Sequence, residues 1–136
     1  KYPGVPSINL HTIHPHEHLK IGDFDITPFQ VMHDKLPILG YKINNLAYIT
    51  DMKTIADEEV ELIKGVDILV ENALRWDKPH HSHQLVGDAV NFARRVGAKH
   101  TYLVHANHDI GKHDDINKRL PDDIRYAYDG QVLLCP

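Results

Sequence analysis

The chain has 136 residues, of which 42% are hydrophobic and 25% are charged, and its formal net charge is −4. This composition is that of an ordinary globular protein, and the acidic balance leaves no basic footprint for nucleic acid, which is therefore not an expected partner. The length allows one domain with a core of its own, so we treat residues 1–136 as a single segment. No apolar run approaches the ~20 residues that a membrane-spanning helix needs.

The cysteine count argues against disulfides, whereas the histidine count favours a metal site. Cys135 is the only cysteine, which excludes an internal disulfide framework and favours a reducing, cytoplasmic compartment. The chain contains 12 histidines, and because histidine is the commonest protein ligand of transition metals, this count favours a metal site. The chain starts at Lys1 and continues into Tyr-Pro-Gly-Val-Pro, a beginning expected of a processed terminus or of a chain entered midway.

The first part of the chain predicts β-strands. Residues 7–13 alternate apolar and polar side chains, which is the period of a half-buried strand. Further strands are predicted over residues 23–33, where Pro28 indicates an edge or a bulge, and over residues 38–43 and 46–50. The turn-forming residues between the last three strands predict a meander.

The remainder of the chain alternates helices and strands. Thr54 begins a capping box, Ser82 is a candidate N-cap, and Gly97 is expected to end the second helix. A continuous apolar run at residues 67–70 is expected of a central strand covered on both faces. The predicted helices span residues 54–64, 84–96 and 112–120, and the predicted strands span residues 67–70, 101–104 and 132–134.

Three candidate metal ligands stand at the ends of predicted strands, namely His33, Asp51 and His105. Two imidazoles and one carboxylate suit zinc or another divalent first-row metal. Each residue also has a structural interpretation, because Asp51 can cap the following helix and His33 can belong to a turn. The spacing alone leaves both interpretations open.

Two histidine-rich segments remain. His80, His81 and His83 precede a predicted helix, and a histidine there can act as a general acid or base, or can belong to a solvated cluster. Residues 14–18, with the sequence His-Pro-His-Glu-His, are interpreted as a solvated connection because Pro15 interrupts the strand that would align their side chains.

The motifs taken together resemble the metallo-β-lactamase-fold hydrolases. Residues 31–33, 47–51 and 103–105 resemble the third, fourth and fifth metal-binding motifs of that fold. Residues 79–83, 105–109 and 127–130 extend the match toward its phosphodiesterase branch, which contains phosphoribosyl 1,2-cyclic phosphate phosphodiesterase. The resemblance runs from about Phe24 to the C-terminus and implies a metal-dependent hydrolase of small or cyclic phosphodiesters.

The resemblance also implies a role for each matching residue. Asp51 would bridge two divalent metals, zinc in the first instance and manganese or iron otherwise, with His33 and His105 each a ligand of one metal. His83 would meet the substrate phosphate or leaving group, and His108 would make a supporting contact. Two such cations share the charge of a phosphodiester and lower the pKa of a bridging water.

One motif of the family is missing. Family members open with a His-x-His-x-Asp-His motif, which the 136 residues lack and for which residues 14–18 are no substitute. We therefore expect an α/β (α+β) fold that forms the C-terminal half of an αββα sandwich, a mixed sheet with flanking helices whose partner is the N-terminal half. An apolar face left open predicts association, including homo-oligomers. The alternative is a catalytically silent partial domain whose histidines bind metal adventitiously or mediate assembly.

Overall fold

The computed structural model describes residues 2–135. A seven-stranded sheet, in which the strands follow the order of the chain, forms its centre. The strands are β1 (Leu19–Ile21), β2 (Phe24–His33), β3 (Leu36–Ile43), β4 (Leu46–Tyr48), β5 (Ile68–Asn72), β6 (His100–Val104) and β7 (Ile124–Tyr126). The helices are α1 (Asp57–Ile63), α2 (Val86–Val96) and α3 (His113–Lys118), with a 3-10 turn at His108–Ile110. Within this part of the chain, no helix has the length and apolar character needed to cross a bilayer.

The sheet is mixed. Strands β1 to β4 pair antiparallel, whereas β4 to β7 pair parallel. Short turns join the antiparallel strands, while each parallel pair needs a crossover, which α1, α2 and the α3 region supply. The predicted meander and the α/β fold with flanking helices are both confirmed.

One face of the sheet is covered by the helices. The strand register places the fully buried Phe29, Ala47, Leu69 and Leu103 on this face. Helix α2 packs a buried stripe against them, because apolar residues recur on one side of the helix at Val86, Ala89, Phe92, Ala93 and Val96. This single core holds the ends of the strands in fixed positions.

The opposite face of the sheet, called here the open face, carries a row of neighbouring side chains. The register aligns Tyr41, Tyr48, Val70 and Tyr102 across four strands. Tyr48 is 44% exposed, although it lies on a strand in the middle of the sheet. The open face therefore presents apolar surface that no described helix covers.

Two predicted strands are wrong. Residues 7–13 contain no strand, and their apolar side chains Ile8 and Leu10 are exposed. Residues 132–134 also contain no strand, and the last strand is instead β7. Residues 7–13 alternate apolar and polar side chains and residues 132–134 are continuously apolar, but a strand also needs a neighbour for its backbone hydrogen bonds, and neither segment forms such a ladder.

The predicted helix caps are partly wrong. Thr54 does not cap α1, because its backbone pairs with Met32 in an isolated bridge. Ser82 does not cap α2, which begins after Leu85, whose backbone N–H donates to the Asp88 carboxylate at 3.0 Å. Gly97 ends α2 as predicted, with φ of 71° and its N–H donating to the Ala93 carbonyl.

Two other predictions in the first part of the chain are confirmed. Pro28 lies beyond the last residue of β2 that pairs with β1, so it occupies an edge position. Residues 14–18 form a connection without helix or strand up to β1. Two of their histidines face carboxylates, since His16 Nε2 lies 2.7 Å from Glu59 Oε1 and His18 Nε2 lies 3.3 Å from Asp25 Oδ1.

Candidate metal centre

The candidate ligands lie at one edge of the sheet. Strands β2, β4 and β6 run in the same direction, so the carboxyl ends that carry His33, Asp51 and His105 meet there. Asp51 and His105 adopt left-handed backbone conformations, with φ of 60° and 64°. A residue other than glycine rarely adopts this conformation, and such strain clusters at functional sites.

Asp51, His83 and His105 form a cluster. Asp51 Oδ1 lies 3.1 Å from His105 Nδ1 and 3.4 Å from His83 Nε2. One ligand atom from each of the three residues lies within 4.8 Å of the others. The rings of His83 and His105 stack with centroids 4.6 Å apart. The cluster therefore combines two imidazoles with one carboxylate, a donor set that suits a divalent first-row metal.

His33 lies beside the cluster. Its Nδ1 is 2.6 Å from the backbone carbonyl oxygen of Asp51, and its ring centroid is 4.9 Å from that of His83. Because a carbonyl can only accept, His33 Nδ1 must donate, which leaves Nε2 without a proton when the ring is neutral. Metal-binding histidines are commonly oriented in this way, so His33 is prepared to act as a ligand through Nε2.

The carboxylate of Asp51 has an unsatisfied atom. Asp51 Oδ1 is buried and accepts no hydrogen bond among the described residues, although two imidazole nitrogens face it. A buried anionic oxygen without a donor is unfavourable unless a cation compensates it. The residues present therefore fit a bound metal ion.

Contacts with the loop before α2 and with Lys53 fix the position of His83. Its Nδ1 lies 3.1 Å from Ser82 Oγ and 3.2 Å from His80 Nδ1, while Lys53 Nζ donates to its backbone carbonyl at 3.2 Å. Burial, followed by the neighbouring His105, lowers the pKa of His83, and the Asp51 carboxylate partly offsets this effect. A lowered pKa favours the neutral ring near neutral pH, so His83 would carry a proton only when an anionic group beside it favours the charged form.

Cationic side chains lie near the same loop. Burial is the main cause that lowers the pKa of His80, followed by His81 and by the charges of Arg75 and Lys53. Arg75 is fixed by donating from Nε to the Lys78 carbonyl at 2.8 Å. Lys53, whose Nζ donates to the His83 carbonyl, places a positive charge beside the cluster, which is favourable for an anion.

His108 lies apart from the cluster. Its side chain is 88% exposed, and its Nε2 is 3.2 Å from Asp109 Oδ1. In residues 2–135 it makes no hydrogen bond, ion pair or ring contact with Asp51, His83 or His105. Its role as a supporting contact stays a prediction.

Sequence reasoning missed the polar residues beneath the cluster. Glu71, Asn72 and Gln84 are buried and hydrogen-bonded around the ends of β4 and β5. A signal was present in the chain, because Glu71-Asn72 directly follows the apolar run Ile68–Val70 on a strand that is wholly buried. Buried polar side chains need partners, so such a pair marks a site worth examining.

The fold and the cluster together define a protein of the metallo-β-lactamase fold. Residues 1–106 match the model of the beta-lactamase superfamily domain, and the chain belongs to this family. The family resemblance expected from the motifs is thereby confirmed.

The chain is similar to several known proteins. It is 39% identical over 129 residues to an octanoyltransferase of Porphyromonas gingivalis, a match that covers 95% of this chain and 26% of that protein. It is 37% identical to a diphosphatase of the PhnP family, with a TM-score of 0.84, covering 93% of this chain and 50% of the other. The chain thus spans about half the length of that solved relative and about a quarter of the octanoyltransferase.

Two more distant structures support the fold alone. The metallo-beta-lactamase fold protein YhfI from Bacillus subtilis is 20% identical, with a TM-score of 0.71, covering 86% of this chain and 52% of YhfI. The short form of human tRNase Z is also 20% identical, with a TM-score of 0.68, covering 87% of this chain and 44% of the other.

Proposed function

We propose that this chain contributes to a metal-dependent hydrolase that acts on small phosphodiesters, cyclic ones included. The observation that carries the proposal is the grouping of Asp51 Oδ1 with the ring nitrogens of His83 and His105, which face it at 3.4 Å and 3.1 Å. The family supports hydrolase chemistry, and the similar diphosphatase supports a substrate with a phosphorus–oxygen bond.

His33, Asp51 and His105 are the residues that would hold the metal, with Asp51 placed between the others. Two zinc ions, or manganese or iron, would polarise the phosphoryl group and lower the pKa of water when bound. Asp51 is suited to the central position because its Oδ1 faces the ring nitrogen of His105 at 3.1 Å and its backbone oxygen accepts from His33 at 2.6 Å.

His83 is the candidate proton donor to the leaving group. Its Nε2 faces Asp51, whereas its Nδ1 faces Ser82 and His80, so one nitrogen is directed to the reaction and the other to the loop. Lys53 and Arg75 favour an anionic substrate nearby. His108, three residues beyond His105, is kept as a supporting contact at the rim of the site.

The proposed partners are the substrate and a second structural layer. An N-terminal half of the domain would cover the open face and bring the remaining metal ligands. Octanoyl transfer is not assigned to this chain, because the match covers only 26% of the protein that carries that name.

The alternative is a catalytically silent partial domain that binds metal adventitiously or mediates assembly. The specific observation in its favour is that the described residues bring together only three ligand-bearing side chains, with the His-x-His-x-Asp-His motif absent from the sequence. A second copy could then cover the open face, giving a homo-oligomer.

The test compares Asp51→Ala with His83→Ala in the full-length protein. We expect Asp51→Ala to lose both metal content, measured by elemental analysis, and turnover of bis(p-nitrophenyl) phosphate. His83→Ala should keep its metal and lose rate by about 10²–10⁴-fold, which is typical of a lost general acid. His81→Ala is the matched control, because His81 lies exposed in the same loop.

Substrates with different leaving groups distinguish the role of His83 from that of Asp51. The effect of His83→Ala should shrink as the leaving group becomes more acidic, since a good leaving group needs no proton. Loss of metal in His83→Ala, or full metal and normal turnover in Asp51→Ala, would contradict the assignment. A wild-type protein that binds metal but hydrolyses no phosphodiester would favour the silent alternative.

A further inference from the structure

The C-terminal end of β5 carries buried polar side chains that the proposed chemistry does not use. Glu71 and Asn72 both have 0% exposure, and Gln84, on the loop before α2, has 3%. Burying three polar side chains in one place is unfavourable unless they are hydrogen-bonded, so the partners of this network need to be identified.

Asn72 clamps the residue that follows Asp51. Its Oδ1 accepts from the backbone N–H of Met52 at 2.8 Å, and its Nδ2 donates to the backbone carbonyl of Met52 at 2.8 Å. A side-chain amide is the one group that can donate and accept in this way across a short reach. The clamp fixes the peptide units on both sides of Met52, directly after the left-handed Asp51.

Gln84 is itself the residue that follows His83, and its side chain is bonded to the end of β5. Its Nε2 donates to the backbone carbonyl of Asn72 at 2.7 Å and to Glu71 Oε2 at 3.0 Å. Its own backbone carbonyl accepts from the N–H of Leu74 at 3.1 Å. The end of β5 therefore holds the chain beside two members of the cluster at once.

We propose that Asn72, with Gln84, is a positioning residue that sets the distance between Asp51 and His83. This inference rests on the proposed metal site and adds residues that touch neither metal nor substrate. The physical reason is that Asp51 adopts a strained backbone conformation, which persists only when the surrounding contacts over-determine it. Groups that orient metal ligands typically change metal affinity by about 10–100-fold when they are lost.

Glu71 belongs to the same network, because its Oε2 accepts from Gln84. Burial raises the pKa of its carboxyl well above the ordinary value, although the hydrogen bond from Gln84 opposes the shift. A neutral carboxyl next to the Gln84 amide avoids a buried charge beside the cluster.

The experiment measures binding of Co²⁺ alone to three variants of the full-length protein. Asn72→Leu removes both bonds to Met52 at similar volume, and Gln84→Met removes the bonds to Asn72 and Glu71. Val70→Ala is the matched control, because Val70 is a buried residue two positions before Asn72 on the same strand, and its apolar side chain takes no part in the hydrogen-bond network. The readouts are the Co²⁺ dissociation constant, the visible absorption spectrum of bound Co²⁺, and hydrogen exchange of the Met52 amide without metal.

We expect Asn72→Leu and Gln84→Met to weaken Co²⁺ binding by about 10–100-fold and to alter its spectrum, while Val70→Ala keeps both. The Met52 amide should lose protection in Asn72→Leu. Wild-type Co²⁺ affinity and spectrum in both variants would overturn the proposal, as would an equal loss in Val70→Ala. If Asn72→Leu does not fold, Gln84→Met decides by the same criteria.

The two proposals fail in distinguishable ways. A wild-type protein that binds no Co²⁺ would refute the metal site itself. Hydrogen exchange of the Met52 amide then decides whether Asn72 fixes the Met52 backbone. Unchanged protection of this amide in Asn72→Leu would contradict that role, and lost protection would support it.

Discussion

Gly40→Ala is expected to destabilise the fold strongly for so small a change. An added Cβ at Gly40 would lie 2.6 Å from Phe29 Cζ, 2.7 Å from Phe29 Cε2 and 3.3 Å from Ile49 Cγ1. Phe29 and Ile49 are fully buried, so the ring has no free volume into which to move. Overpacking of this kind costs about 1–3 kcal/mol, which for a domain of this size lowers Tm by about 3–10 °C.

Urea unfolding of three variants tests this expectation. Gly87→Ala is the matched control, because its added Cβ meets nothing within 4 Å and Gly87 lies in α2, where alanine should stabilise by up to about 1 kcal/mol. Combining Gly40→Ala with Phe29→Leu should recover part of the loss, since the two residues contact each other. Equal stability of Gly40→Ala and Gly87→Ala would refute the packing argument.

Three further predictions concern stability and association. Burial raises the pKa of Glu71 well above 4.5, so wild-type stability is complete below the unfolded-state pKa and falls as pH rises toward the folded-state pKa. Glu71→Gln should therefore gain stability relative to wild type as pH is raised above 4.5 in urea titrations. Tyr126→Phe should cost about 1–3 kcal/mol in thermal unfolding, because the Tyr126 hydroxyl donates to the buried Ala73 carbonyl at 2.6 Å. Residues 1–136 expressed alone should associate through the open face, and Tyr48→Lys should reduce this in light scattering; a monodisperse wild-type monomer with cooperative unfolding would contradict it.

The regular elements near the core could be predicted from the sequence. Strands β2, β3, β5 and β6 were predicted within two residues at each end, because their side-chain patterns match the faces that the helices and neighbouring strands bury. Residues 7–13 have a similar pattern and form no strand. The side-chain pattern of a segment shows which face of it could be buried. It does not show whether a second segment lies beside it to form the hydrogen-bonded ladder that a strand needs.

The candidate site, too, could be predicted from the sequence only in part. The sequence placed His33, Asp51 and His105 at strand ends, and the common direction of the strands brings them to one edge. It could not predict that His83 Nε2 approaches Asp51 or that His108 faces solvent. His83 belongs to a loop and His108 to a short 3-10 turn, and the conformation of both segments is set by tertiary contacts rather than by local spacing.

The order of the strands has a consequence for how the protein folds. Because each strand lies beside the one before it in the chain, the sheet can grow from the β2–β3 hairpin, whose Asp34-Lys35 turn makes loop closure cheap, by adding one neighbour at a time. Asp51, His83 and His105 are distributed over three successive additions to this sheet. A chain arrested before β6 would hold the part of the core that β2 to β5 and the first two helices form but would lack His105, so metal affinity would report whether the late strands have joined.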